Sequence, residues 1–411
     1  MFENRIVLST VIVAALGYMV DIYDLIIFSI VRVQSLQDLG ITDPAQVQSI
    51  GLGIIASQMR GMLIGGLLWG ILGDKMGRLS VLFGSIIIYS IANTANGFVS
   101  NIDQYYWLRF VAGIGLAGEL GAGITLVSEV MSKEKRGIGT TIVASVGVAG
   151  AVLAYFVAEA FNWRNAYIFG GCLGFALLLL RISVFESGMY NKVKESKVQK
   201  GNFLKIFTNY NMFVKYLKCV LIGSCTWLVI GILVTSAPEF GKAFGMSNPP
   251  ANGAKAIMYC YLGLIIGDLA SGLLSQRLKS RRQALFVFLT LTAITTAFYL
   301  SSGNITQELF YFKIFLVGIA AGFWVIFVSM ASEQFGTNLR ATVSTTVPNF
   351  ARGSLDLLVW AFLFLSRDYG MNLGAVNAAW ILTAVCLLIS FAAVYYSEET
   401  FGKDLDYVEI M

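Results

Sequence analysis

The chain has 411 residues, 57% hydrophobic and 13% charged, with a mean hydropathy of +0.73 and a net charge of +5. A water-soluble domain carries about 25% charged residues, so this composition excludes an aqueous enzyme or binding module of this size. The basic residues sit in short segments between apolar runs, the placement of topology determinants, which excludes a nucleic-acid-binding face.

In chain order, apolar runs long enough to cross about 30 Å of hydrocarbon occur at 7–31, 47–72, 79–99, 106–130, 138–161 and 164–183. A second set follows at 214–238, 254–275, 283–302, 309–332, 341–366 and 372–396. The reading is an all-α integral membrane protein with twelve transmembrane helices in a lipid bilayer. The 42 glycines against 5 prolines suit helices packing closely in lipid, where small residues let backbones approach. With the N-terminus placed inside, the loops on that side hold Lys75, Arg78, Lys133, Lys135, Arg136, Arg277, Lys279, Arg281, Arg282 and Arg340, besides the lysines of the central segment. The other side holds Arg32, Arg164, Lys242 and Arg367. This asymmetry places both termini in the cytoplasm.

A polar linker at 186–213 separates an N-terminal six-helix bundle at 1–185 from a second at 214–398, and a tail at 399–411 follows. The halves echo each other at an offset of about 200 residues. Glu129 precedes Arg136 by seven residues, as Glu333 precedes Arg340. Tyr106-Trp107-Leu108-Arg109 opens the fourth run, as Tyr311-Phe312-Lys313 opens the tenth. Gly70 and Asp74 correspond to Gly272 and Gln276. Internal repeats of this kind place a transport site between the halves, near the midplane.

An ionisable group inside a span costs about 2.5–3.5 kcal/mol on insertion scales, so each needs a partner or a wet cavity. Asp21 and Asp24 share one face of the first helix. Arg60 lies mid-span in the second helix, Arg109 and Glu119 lie in the fourth, and Lys313 enters the tenth. Arg352 and Asp356, at i and i+4 in the eleventh helix, read as an ion pair. Two guanidiniums, Arg60 and Arg109, stand against three carboxylates, Asp21, Asp24 and Glu119. One carboxylate is therefore expected to be protonated or exposed to the cavity, which suits a proton carrier; the alternative is a purely structural set of salt bridges. The chain has no histidine, so proton handling falls to carboxylates. The five cysteines lie in apolar segments without metal spacing; they read as packing residues, and no cofactor or metal is expected.

The segment Gly70-Ile-Leu-Gly-Asp74-Lys75-Met-Gly77-Arg78 resembles the signature loop of the major facilitator superfamily, G-x-L-x-D-[RK]-x-G-R, departing where Leu79 replaces a frequent basic residue. The resemblance implies a cytoplasmic gate of Asp74, Arg78, Glu129 and Arg136, with Glu333 and Arg340 in the second half. Finer features are similar to the metabolite:proton symporter branch. They are Gly17-Tyr-Met-Val-Asp21-Ile-Tyr23-Asp24-Leu25 in the first helix, Arg60-Gly61 in the second, and Arg109, Gly113, Ala117, Gly118 and Glu119 in the fourth. Gly61 and Gly188 stand where that branch has prolines, and Asp21 where it has glutamate.

The resemblance makes Asp24 and Glu119 proton-coupling candidates, and the charge count adds Asp21 to them. It makes Arg60 and Arg109 partners that hold these carboxylates or meet an anionic substrate, and Tyr23 and Trp227 cavity-lining groups; Arg352 is a further candidate substrate contact as an arginine inside a span. The resemblance further implies a monomer in a bacterial inner membrane that takes up a small carboxylate-bearing or zwitterionic metabolite with protons. Alternatives are an exporter, antiporter or facilitator of an amphipathic solute or larger carboxylate conjugate. A non-transporting nutrient receptor is a further alternative.

Overall fold

The computed structural model describes residues 5–76, 78–119, 136–184, 205–246, 250–367 and 370–403. The first half contributes α1 (Arg5–Asp38), α2 (Pro44–Met76), α3 (Arg78–Asn96), α4 (Ile102–Leu116), α5 (Arg136–Ala160) and α6 (Trp163–Val184). The second contributes α7 (Tyr210–Leu228, continued by a π-helical stretch Val229–Val234), α8 (Gly253–Leu278) and α9 (Arg281–Leu300). It is completed by α10 in two pieces (Gln307–Ala321 and Trp324–Glu333), α11 (Thr337–Ser366) and α12 (Gly374–Tyr395). Among the described residues nine spans are long and apolar enough to cross a membrane. The other three helices fall short for visible reasons. Val81–Asn96 is a shorter apolar helix, α4 is described over 15 residues, and the 30-residue α11 carries Arg340, Arg352 and Asp356.

Local chemistry sets the ends. Asn101, Asn252, Ser280 and Thr306 each accept a backbone amide from the first turn of the helix they precede, satisfying donors the helix itself cannot. Most expected spans match to within a few residues. Two differences matter. The first helix runs on to Asp38, so Arg32, expected in an outer loop, is a buried helical residue. The fourth and tenth helices are not continuous: α4 turns at Ala117-Gly118, and α10 breaks at Gly322-Phe323.

Packing repeats between the halves. The pairs α1–α5, α2–α4 and α3–α6 recur as α7–α11, α8–α10 and α9–α12, and across the halves α2–α11 recurs as α8–α5. Glycines permit the closest of these contacts. A Cβ on Gly322 would lie 2.6 Å from the Gly267 Cα and 2.7 Å from the Asp268 nitrogen. Only backbone fits between α8 and α10 there, and van der Waals contact replaces the hydrophobic effect that lipid cannot supply.

At the face opposite the termini, polar contacts close the halves together. Arg32 pairs with Glu239 at 2.8 Å and donates to the Thr235 carbonyl at 3.1 Å, just beyond the π-helical stretch of α7. Arg367 donates to the Gln48 side chain at 2.6 Å and to the Ala45 carbonyl at 3.0 Å.

Candidate substrate and proton site

Helices of both halves meet here, α1 from the first and α7, α10 and α11 from the second. From α1 come Tyr18, Asp21 and Asp24, all buried. Neither carboxylate oxygen of Asp21 or Asp24 has a hydrogen-bond partner among the described residues. Such groups are costly in hydrocarbon unless a ligand, a proton or a charged neighbour compensates them. Asp21 lies within electrostatic reach of Arg352, Glu119 and Arg181, and Asp24 faces Arg109 and Asn93.

From α11 comes Arg352, buried, whose Nη1 donates to the Asn349 Oδ1 at 3.4 Å. Its guanidinium carbon sits 5.6 Å from the Trp227 ring and 5.7 Å from the Trp324 ring, the cation–π range. The two indoles stand edge to face at 6.1 Å and 77°. Arg352 Nε, Trp227 Nε1 and Trp324 Nε1 are buried donors without a partner among the described residues. Asn349 ties this corner to the first half by donating to the Ala117 carbonyl at 2.8 Å, at the turn that ends α4.

The structure revises several pairings expected from spacing. Arg352 and Asp356 do not pair: Asp356 receives a bidentate contact from Arg60 across the halves, at 2.9 Å through both Nε and Nη2. Arg60 is 57% exposed there and does not join the α1 carboxylates. Glu119 is held by a buried, bidentate Arg181 from α6, one bond being 3.0 Å and the other, Nη2 to Oε1, closer. The partners counted from spacing therefore change: Arg181 pairs with Glu119, while Asp21 and Asp24 lie within electrostatic reach of Arg352 and Arg109 with no hydrogen-bond partner for either carboxylate among the described residues. Arg109 is buried midway along α4. It donates to Asn93 Oδ1 and to the Asp24 carbonyl at 3.3 Å, with its guanidinium 4.8 Å from the Tyr167 ring. Tyr23, expected to line a cavity, is fully buried and donates to the Ala166 carbonyl at 2.7 Å. Lys313 turns to the Phe298 carbonyl and the Ser302 hydroxyl.

Of the expected gate, Glu129 and the side chains of Asp74, Arg78 and Arg136 lie outside the described residues. Glu333 pairs with Arg281 at 3.1 Å and accepts from the Thr400 hydroxyl at 2.7 Å, while Arg340 Nε donates to the Ser332 carbonyl at 3.3 Å. Among the described residues no cluster of His, Cys, Asp or Glu suits a metal ion.

Sequence reasoning passed over Arg181, Asp268 and Trp324. Two of them carried a signal: Arg181 and Asp268 are ionisable residues inside expected spans, which alone mark functional or paired groups. Arg181→Met is expected to destabilise the protein by about 3–5 kcal/mol, because Glu119 is left buried and unpaired. Adding Glu119→Leu should recover most of that loss, read as the melting temperature in detergent. A single variant that melts like the wild type would show that the pair contributes nothing.

A family model described as Major Facilitator Superfamily matches residues 9–350. The chain is 27% identical over 391 residues to the putative niacin/nicotinamide transporter NiaP of Bacillus subtilis (strain 168), covering 92% of this chain and 94% of that one. It is 25% identical over 389 residues to the sialic acid transporter NanX of Escherichia coli (strain K12), covering 92% and 91%. Among solved structures it resembles the proton:xylose symporter XylE, with a TM-score of 0.74, 17% identity and 98% coverage of both chains.

Proposed function

The chain belongs to the major facilitator superfamily, a family of transporters rather than enzymes, and we propose that it imports a small carboxylate-bearing metabolite together with a proton. The observation that carries this reading is the convergence at Arg352. A buried guanidinium, framed by two indoles whose N–H donors have no partner among the described residues, lies within electrostatic reach of an aspartate whose oxygens have none either. A carboxylate answers those donors, and a flat ring attached to it packs against Trp227 and Trp324. Aromatic monocarboxylates fit best. The niacin in the name of the Bacillus relative has this chemistry, and the sialic acid of the Escherichia relative shares the carboxylate.

Charge balance supplies the coupling. In the empty carrier, ionised Asp21 compensates Arg352. When Asp21 takes a proton, the substrate carboxylate compensates Arg352 instead. Both states are neutral at this point, and both can be carried through bilayer depth. Substrate without a proton adds an uncompensated charge and is held back. Asp24 facing Arg109, and Glu119 held by Arg181, shape the field around Asp21 and complete the proposed proton-coupling set.

Alternating access then follows from the halves rocking about the site. Arg32–Glu239 and Arg367–Gln48 serve as the outer gate. Asp74, Arg78, Glu129 and Arg136, with Glu333 and Arg340, serve as the inner one. Both termini lie in the cytoplasm, and one chain suffices.

One proton per monovalent anion makes the cycle electroneutral. In proteoliposomes, accumulation of nicotinate or benzoate is therefore expected to track an imposed pH gradient, about tenfold per pH unit. A membrane potential imposed at equal pH is expected to drive none. Accumulation indifferent to the pH gradient would remove proton coupling from the proposal.

A further inference from the structure

We infer that Asp268 is a positioning residue for the substrate site, holding Trp324 against Arg352 through the first turn of the second α10 piece; this rests on the reading of that site given above. The break at Gly322-Phe323 begins a new helix inside the membrane, so the first amides of Trp324–Glu333 lack intrahelical acceptors. Hydrocarbon offers them none. Asp268, buried on α8, accepts the Val325 amide at 3.4 Å. A carboxylate at this end of a helix satisfies that amide and meets the positive pole of the helix dipole.

The register that brings Asp268 there is set by its neighbour. Gly267 lies against Gly322 with no room for a Cβ on either, so α8 cannot slide along α10 without a clash. Trp324 is the first residue of the capped piece, and the direction of its ring is fixed by that turn. The ring lies 5.7 Å from the Arg352 guanidinium, 6.1 Å from Trp227 and 4.9 Å from Phe327. Asp268 thus reaches the substrate site through the backbone of the residue that forms one wall of it.

The full chain labelled with 5-fluorotryptophan, purified in detergent, tests the inference by fluorine NMR, the Trp324 resonance being identified by its loss in Trp324→Phe. Asp268→Ala is expected to shift or broaden that resonance and to weaken nicotinate binding about fivefold to tenfold. Asp268→Asn keeps an acceptor oxygen at the cap and is expected to restore both to within about twofold of wild type. A monodisperse alanine variant with an unmoved Trp324 resonance overturns the inference, as does an asparagine variant that behaves like alanine. If the alanine protein does not assemble, Asp268→Glu, which displaces the oxygen by one methylene, is expected to shift the same resonance; an unshifted line overturns it equally. Should the wild type bind neither nicotinate nor benzoate, the substrate reading fails, while the resonance still decides the positioning role.

Discussion

Replacing Arg352 with glutamine is expected to weaken binding of an aromatic carboxylate at least about 100-fold, because two charge-assisted hydrogen bonds of about 1.5–3 kcal/mol each are lost. The geometry explains why so much rests on one side chain. Nη1 leans on Asn349 at 3.4 Å, which holds the guanidinium plane and leaves the Nε edge to meet a ligand. Trp227 and Trp324 exclude water around it and strengthen its field. Lysine keeps the charge but not the planar fork, so Arg352→Lys is expected to fall between, about tenfold weaker than wild type. Arg60→Gln provides the contrast. Arg60 is committed to Asp356 at 57% exposure, so its loss should change affinity by about twofold or less. Titration calorimetry on purified protein measures all three. A folded Arg352→Gln protein that binds nicotinate as tightly as wild type would take the carboxylate site away from α11.

The fold was legible because the bilayer leaves the chain little choice. Spans of about 20 apolar residues have to be helices, and the offset between Glu129/Arg136 and Glu333/Arg340 marks a repeat before any coordinate is known. The candidate site was legible as a set of residues but not in its pairings. Asp21, Asp24, Glu119, Arg109, Trp227 and Arg352 stand out as polar or aromatic groups inside apolar runs. Spacing along one helix, however, shows only neighbours on the same face. By that rule Arg352 and Asp356 pair at i and i+4. The real competitor, Arg60, lies 296 residues away in sequence and offers Asp356 a bidentate fork. Arg181 reaches Glu119 from 62 residues downstream for the same reason. The break in α10 was hidden as well. Gly318-Ile-Ala-Ala-Gly322 reads as a helix-packing stripe, and the capping carboxylate comes from another helix.

Asp21→Asn is expected to abolish concentrative uptake while sparing exchange, and the two halves of that result have one cause. Asparagine imitates protonated aspartate. In the loaded carrier the substrate carboxylate still compensates Arg352, so the halves can rock in either direction with cargo aboard. Counterflow of labelled against unlabelled substrate should persist. In the empty carrier nothing neutralises Arg352, since Asp21 is its facing carboxylate on α1. Carrying that bare charge through bilayer depth costs about 2.5–3.5 kcal/mol or more, enough to slow the empty return roughly 100-fold. Net uptake needs the empty return and exchange does not. Under a gradient of one pH unit, accumulation should therefore fall from about tenfold to simple equilibration. Glu119→Gln should behave differently: it leaves Arg181 without its partner and lowers the melting temperature before it touches coupling. An Asp21→Asn protein that still concentrates substrate along a pH gradient would move the proton to another carboxylate. Equal loss of exchange and uptake would make Asp21 part of substrate binding instead.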